Sequence, residues 1–122
     1  MARSATGLKE AINEIQQLKE EFWSDVKIPG QINEMNPELD KAQRVADFLE
    51  LAELMCIDAL HRNESAGGHF REEYQTKDGE ALRQDDQFMY VAAWEWKSEH
   101  EWELHKEELR YEEVKPSQRS YK

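Results

Sequence analysis

The stretch Asn36-Pro37-Glu38-Leu39-Asp40-Lys41-Ala42-Gln43-Arg44-Val45-Ala46-Asp47-Phe48-Leu49-Glu50-Leu51-Ala52-Glu53-Leu54-Met55-Cys56-Ile57-Asp58-Ala59-Leu60-His61-Arg62 decides how this chain folds. Its opening is a helix start. Asn36 can cap, Pro37 loses nothing at a first position whose N–H has no intrahelical partner, and Glu38 and Asp40 face the positive end of the helix dipole. Beyond it, Asp40, Gln43, Arg44, Asp47, Glu50, Glu53, Asp58 and His61 form a narrow polar stripe, and apolar residues from Val45 to Leu60 take the rest. A surface helix needs one apolar face against a core. This one, predicted over 37–62, is apolar over more than one face and needs at least two neighbours.

Only one other long helix is predicted. Leu8, Ala11, Ile12, Ile15, Leu18, Phe22, Trp23 and Val26 recur mostly at steps of three and four, with charged residues between them, which marks an amphipathic helix over about 7–27. Thr6 can cap it, and Ile28-Pro29-Gly30 stops it. Fully burying a Leu, Phe or Met side chain contributes about 1.5–3 kcal/mol, so half of the 37–62 helix left wet would forfeit much of a typical net stability. The pair is an incomplete three-helix bundle.

Composition narrows the classes. The chain has 122 residues, 27 acidic and 16 basic, for a formal charge of -11. That length suits one domain, residues 1–122, burying about 65% of its unfolded surface. The most apolar uncharged run, Leu54-Met55-Cys56-Ile57, is far short of the roughly 20 residues a spanning helix requires, and the N-terminus carries no secretory pattern. One cysteine, Cys56, excludes an internal disulfide and fits a reducing compartment. The negative charge and scattered bases argue against nucleic acid. Four tryptophans argue against disorder, yet a mean hydropathy of -0.98 is low for a free-standing globule.

After the long helix, Asn63 to Gly68 ends it, and a polar loop runs over 63–87 with a turn at Lys77-Asp78-Gly79. Phe88, Tyr90, Ala92, Trp94 and Trp96 alternate with Met89, Val91, Ala93 and Glu95, the two-residue period of a strand. Acid-rich Ser98 to Glu103 is read as a connection, and Leu109, Tyr111 and Glu113 alternate with Arg110, Glu112 and Val114 as its partner. The expected β-hairpin therefore covers about 88–114, with an extended tail over 115–122. The fold class is mainly α: a long helical hairpin, an irregular loop, a small β-hairpin and the tail.

The densest polar cluster runs from His61 to Tyr74, with two imidazoles, two guanidinium groups, a hydroxyl and three carboxylates at a helix end. Such groups suit proton transfer or carboxylate binding, but His and Arg are also favoured at the negative end of a helix dipole, which is the commoner situation. Other chemistry is poorly supported. Asp58 and His61 form a single i, i+3 pair where two-metal bundles need it on two helices, and His100 and His105 match no zinc spacing. Cys56 lies mid-helix among apolar residues, Ser65 lacks a nucleophile-elbow setting, and Gly67-Gly68 is no phosphate loop. No metal ligand and no catalytic residue is assigned.

Two motifs carry a resemblance. Arg62-Asn63-Glu64-Ser65 through Gly67, His69 and Arg71 resembles the Arg-x-Glu-Ser-Arg-Gly-x-His-x-Arg segment of the flavoprotein subunits of succinate dehydrogenase and fumarate reductase, parts of which L-aspartate oxidase and adenylylsulfate reductase share. Pro116, Arg119 and Tyr121 are similar to the Pro-x-x-Arg-x-Tyr ending of the same subunits, and Arg3 with Gly7-Leu8 resembles the start of their second C-terminal helix. Departures are Ala66 at the commoner Arg, Glu73 at the Asp and Gln75 at a frequent Pro, and 77–107 matches only loosely.

The resemblance implies the C-terminal helical domain of a larger flavoprotein. The parent would interconvert succinate and fumarate, with FAD held elsewhere in it and electrons passing through an iron-sulfur subunit and a membrane anchor to quinone. It would sit in the cytoplasm, peripheral to the inner face of the plasma membrane. This chain would bind no cofactor, insert in no membrane and be inactive alone. A preceding bundle helix would supply the missing neighbour, and without it the chain is expected to self-associate. Arg62, Glu64, Ser65, His69 and Arg71 would dock the domain to the flavin-binding and capping domains, with Pro116, Arg119 and Tyr121 as the tail motif. Two rivals remain: a free-standing acidic helical adaptor that binds a partner helix in its uncovered groove, and a carboxylate-histidine metalloenzyme.

Overall fold

The computed structural model describes residues 2–31, 33–118 and 120. Its elements in order are α1 (Ala5–Asp25), α2 (Pro37–His61), α3 (Asp85–Phe88), β1 (Tyr90–Ser98) and β2 (Glu101–Glu108). The architecture is mainly helical, two long helices followed by an irregular loop and a two-stranded antiparallel hairpin, as the periodicities imply.

α1 starts two residues earlier than its apolar period suggests, because its cap is Ser4 and not Thr6. Ser4 Oγ accepts from the Gly7 backbone at 3.1 Å. The chain just before it is held to the loop, with Arg3 N donating to Phe70 O at 2.9 Å and Glu72 N to Arg3 O at 2.8 Å. α2 begins as read. Asn36 Oδ1 accepts from Glu38 N at 3.1 Å and Leu39 N at 3.4 Å, and its Nδ2 donates to Pro29 O at 2.9 Å. That second bond brings the linker so close that a Cβ on Gly30 (φ 110°) would stand 2.6 Å from Asn36 Nδ2, so only glycine fits there.

The two helices run antiparallel. Gln16 and Lys19 of α1 reach Glu53 and Glu50 of α2, while Phe22 and Val26, the residue that ends α1, share a groove with the earlier Val45 and Leu49. Among the described residues the buried apolar core is small, comprising Leu8, Ala59, Phe88 and Tyr90. The buried set also contains Lys19, Glu53, Glu64, Ser65 and Arg71, so polar knots do part of the work a larger core would do.

Glu53 departs from expectation. Periodicity assigns it to the exposed polar stripe, yet its side chain is 0% exposed. Its Oε2 accepts from Lys19 Nζ at 2.8 Å and its Oε1 from Gln16 Nε2 at 2.7 Å, with His100 Nδ1 at 2.9 Å from the same oxygen. Lys19 also meets Glu50 at 2.8 Å. Burial alone would raise the Glu53 pKa, but the hydrogen bonds from Lys19, Gln16 and His100 outweigh it and hold the carboxyl below its ordinary value. Burial likewise works against the Lys19 charge, and its bonds to Glu50 and Glu53 raise its pKa on balance.

The hairpin also differs. Its second strand is Glu101–Glu108, not 109–114, and the connection is Glu99-His100 rather than Ser98 to Glu103. His100 takes the left-handed conformation (φ 62°) that this tight turn requires, and the ladder is irregular between Trp96 and Ser98. Trp94 pairs with Leu104 and Trp96 with Trp102, so Trp102-Glu103-Leu104-His105 is the real alternation, apolar residues on one face and polar on the other. Phe88 belongs to α3, not to the strand. Leu109 N extends the pairing by one bond, to Met89 O at 3.1 Å, before the chain leaves regular structure.

Trp94 Nε1 donates to Asp58 at 2.8 Å, His61 Nε2 lies 3.0 Å from Tyr90 Oη, and the His61 ring meets Trp94 edge to face at 5.7 Å. The hairpin thus takes one side of α2 and α1 another. A third side stays open: Phe48, Leu51 and Met55 are 64%, 54% and 58% exposed, with Val45 continuing their line. Such a row of large apolar side chains on a helix midsection marks a contact surface.

Candidate functional site

The cluster between Arg62 and Arg71 folds into a junction where the C-terminus of α2 meets the N-terminus of α1. The last turn of any helix leaves carbonyls unpaired. Here Arg71 supplies the donors: its Nη1 lies 2.8 Å from Ala59 O and 3.2 Å from Leu60 O. Arg71 is 2% exposed, and its Nε pairs with Glu73 Oε2 at 3.1 Å. Glu73 Oε1 then accepts from the Ala5 backbone at the start of α1. That bond, helped by Arg71, holds the Glu73 carboxyl below its ordinary value. One Arg-Glu pair therefore satisfies the end of one helix and the beginning of the other.

The remaining motif residues fix Arg71 in place. Ser65 Oγ accepts from Arg71 N at 2.8 Å and lies 3.2 Å from Arg71 O, while Ser65 N donates to Leu82 O at 2.9 Å. Glu64 takes Arg62 Nε on one oxygen at 2.8 Å and Gln84 N on the other at 2.9 Å. Arg62 also donates to Phe88 O at 2.6 Å and stacks its guanidinium over the Phe88 and Tyr90 rings at 5.9 and 5.6 Å.

His69 is set by two one-way partners. Its Nε2 lies 2.9 Å from Arg62 O, which only accepts, and its Nδ1 lies 3.2 Å from Arg3 Nη1, which only donates. These fix the tautomer with hydrogen on Nε2. Between Ala66 and His69 the chain reverses through Gly67 (φ 57°), with Ala66 N to His69 O at 2.8 Å and the reciprocal bond at 3.0 Å.

The structure thus brings Arg62, Glu64, Ser65, His69 and Arg71 together, each hydrogen-bonded through its side chain to another part of the chain. Glu64, Ser65 and Arg71 are buried, so they order the domain from inside, and the outward surface of the junction is the exposed turn at Gly67-Gly68. Arg3, Glu73 and Gln84 complete the junction; Arg3 and Glu73 stand at positions of the resemblance without a role read from the sequence, and Gln84 carries no local motif. Beside it, a cavity of about 310 Å³ lies between Ala66, Arg83, Asp85 and the tail segment with Tyr111, Val114 and Pro116. Arg83 there is already paired with Asp85 Oδ1 at 2.6 and 2.9 Å. Among the described residues lining this cavity, Arg62 and Arg83 are both paired with carboxylates and offer no unpaired positive charge to a flavin diphosphate. Arg119 and Tyr121 lie outside the described residues.

The other candidates have partners. Asp58 is bonded to Trp94 and His61 to Tyr90. Burial, then Lys106, keeps the His61 pKa below its ordinary value, and burial pushes the Cys56 thiol up, away from the reactive thiolate. Glu95, Glu103 and His105 converge on the outer face of the hairpin, but Lys97 sits on both carboxylates at 2.8 and 2.7 Å. Among the described residues no helix is long and apolar enough to cross a membrane.

Comparison with known proteins gives two findings. The family described as fumarate reductase flavoprotein C-term matches residues 1–121. The fumarate reductase flavoprotein subunits of two Helicobacter pylori strains, ATCC 700392 / 26695 and J99 / ATCC 700824, are each 35% identical to the chain over 78 residues. The aligned stretch covers 64% of the chain and 11% of each relative, so the chain spans a small part of the curated relatives it matches.

Proposed function

This chain belongs to the fumarate reductase flavoprotein C-terminal family, and from that premise we propose that it serves as the helical docking domain of a flavoprotein that interconverts succinate and fumarate. In this reading FAD is bound by other parts of the parent protein, and electrons pass through an iron-sulfur subunit to quinone. The parent works in the cytoplasm at the inner face of the plasma membrane. This chain contributes order and attachment rather than reacting groups.

One observation carries the reading: the chain is finished at one end and unfinished on one face. The motif residues are hydrogen-bonded within the chain, Arg71 and His69 to the end of α2 and Ser65 to Arg71, whereas the Val45-Phe48-Leu51-Met55 ridge is left open. That suits a module whose junction, through the Gly67-Gly68 turn, sits against the flavin-binding and capping domains, and whose α2 packs against a further helix. The purified chain, supplied with FAD, should show no succinate:dye or fumarate-reducing turnover; turnover would overturn the reading. The isolated chain should self-associate through the ridge, and a clean monomer in sedimentation at about 100 μM would count against an open apolar face.

The ridge alone also suits a free-standing adaptor. The coding frame separates the two: continuity with a flavin domain supports the flavoprotein, and a stop codon before Met1 supports the adaptor.

A further inference from the structure

The surface around the α2 ridge carries a charge pattern that constrains what covers it. Beside Val45 and Leu49, across a shallow groove of about 420 Å³, Leu18 of α1 extends the apolar surface, and Glu21 and Asp25 form its rim. Helical spacing puts Glu10 and Glu14, eight and four residues before Leu18, on the same face of α1. All four acids are exposed. Among the described residues Glu10, Glu14 and Glu21 form no ion pair, and Asp25 meets only exposed Lys27, at 3.4 Å. The α2 border differs: Lys41 and Arg44 are paired with Glu38 and Asp40 at 2.7 and 3.0 Å. Among the described charged residues on that side only exposed Asp47 lies outside an ion pair, so the ridge has a row of four exposed acids along α1 and a nearly neutral border along α2.

We propose that the ridge is covered by an amphipathic helix from outside this chain, with its apolar stripe bordered by lysines or arginines on the side that meets α1. Apolar contact supplies affinity, and the one-sided acid row sets orientation and rejects helices of the wrong charge. A second copy of this chain fits less well, since each copy carries a formal charge of -11 and, among the described residues, neither long helix presents a row of unpaired bases. Self-association should strengthen with added salt, whereas the proposed helix should weaken. The inference rests on the reading of the ridge as a docking face and adds the chemistry of its occupant.

The test uses two labelled synthetic helical peptides of about 20 residues, identical in their leucine stripe and carrying lysines or glutamates along one edge. Each is titrated with the 122-residue chain by fluorescence anisotropy. The lysine-edged peptide should bind about tenfold tighter at low salt, the summed effect of two or three rim pairs. That preference should vanish near about 0.5 M salt and reverse in the E10K/E14K/E21K variant. Phe48→Glu should abolish binding of both peptides while the far-UV circular dichroism stays unchanged. If both peptides bind equally and Phe48→Glu still abolishes binding, the docking face stands and its basic occupant is overturned. If neither binds, or Phe48→Glu has no effect, the docking reading falls with it.

Discussion

Replacing Glu53 with glutamine tests whether the polar knot between the helices supports the fold. The carboxylate is fully buried and meets donors from Gln16, Lys19 and His100. An amide in its place turns one NH₂ toward a donor and leaves buried Lys19 with Glu50 alone as its counter-charge. Breaking a buried pair on one side costs about 3–5 kcal/mol, and the surviving Glu50 contact reduces this to about 2–3 kcal/mol. With an m value of about 1.5 kcal/mol/M, the urea midpoint at pH 7 should fall by about 1.5 M. The sign with pH is fixed: because folding lowers the Glu53 pKa, its contribution is full above the ordinary value of 4.5 and is lost as pH falls through the folded value. The gap between wild type and E53Q should therefore close on acidification. Lys19 behaves oppositely, its contribution being full below 10.5 and lost as pH rises through its raised folded value. A cost below about 1 kcal/mol at pH 7, or a gap that widens in acid, would refute the assignment.

Arg71→Ala removes the donor to the last α2 carbonyls and leaves Glu73 without its guanidinium; a loss of about 2–4 kcal/mol in urea unfolding is expected, with Arg71→Lys recovering only part because a point charge cannot serve both sides. Gly67→Ala should cost about 1 kcal/mol in thermal unfolding because of its left-handed backbone, whereas Gly68→Ala, with nothing within 4 Å of the added carbon, should be near neutral. Trp94→Phe removes the indole donor to Asp58 and should lower stability by about 1 kcal/mol, read by the same urea titration.

How much was legible depended on the range of the interactions. α2 was readable within one residue because Asn36-Pro37 is a local start signal, and the polar turn at Lys77-Asp78-Gly79 forms where its glycine takes φ 80°. The surplus apolar ridge was equally visible, since only its own helix defines it. Glu53 was hidden: a carboxylate in a polar stripe looks solvated until a lysine 34 positions away turns inward to meet it. β2 was masked because its glutamates suggest a loop, while only Trp102 and Leu104 need face the helix. The junction residues stand out as a cluster, but their task does not, because Arg71 must double back to the Ala59 carbonyl and find Glu73 aimed at Ala5.

The tryptophan hairpin is fastened to α2 by side-chain bonds at Asp58, His61 and Glu53. Among the described residues the backbones of its strands pair only with one another, as a two-stranded ribbon. A flap fastened in that manner can swing away without breaking either long helix, and an isolated ribbon is marginal in water once detached. Its amide protons should therefore trade with deuterium together and well before those of the α2 midsection. The first protease nick should fall near the Glu99-His100 tip.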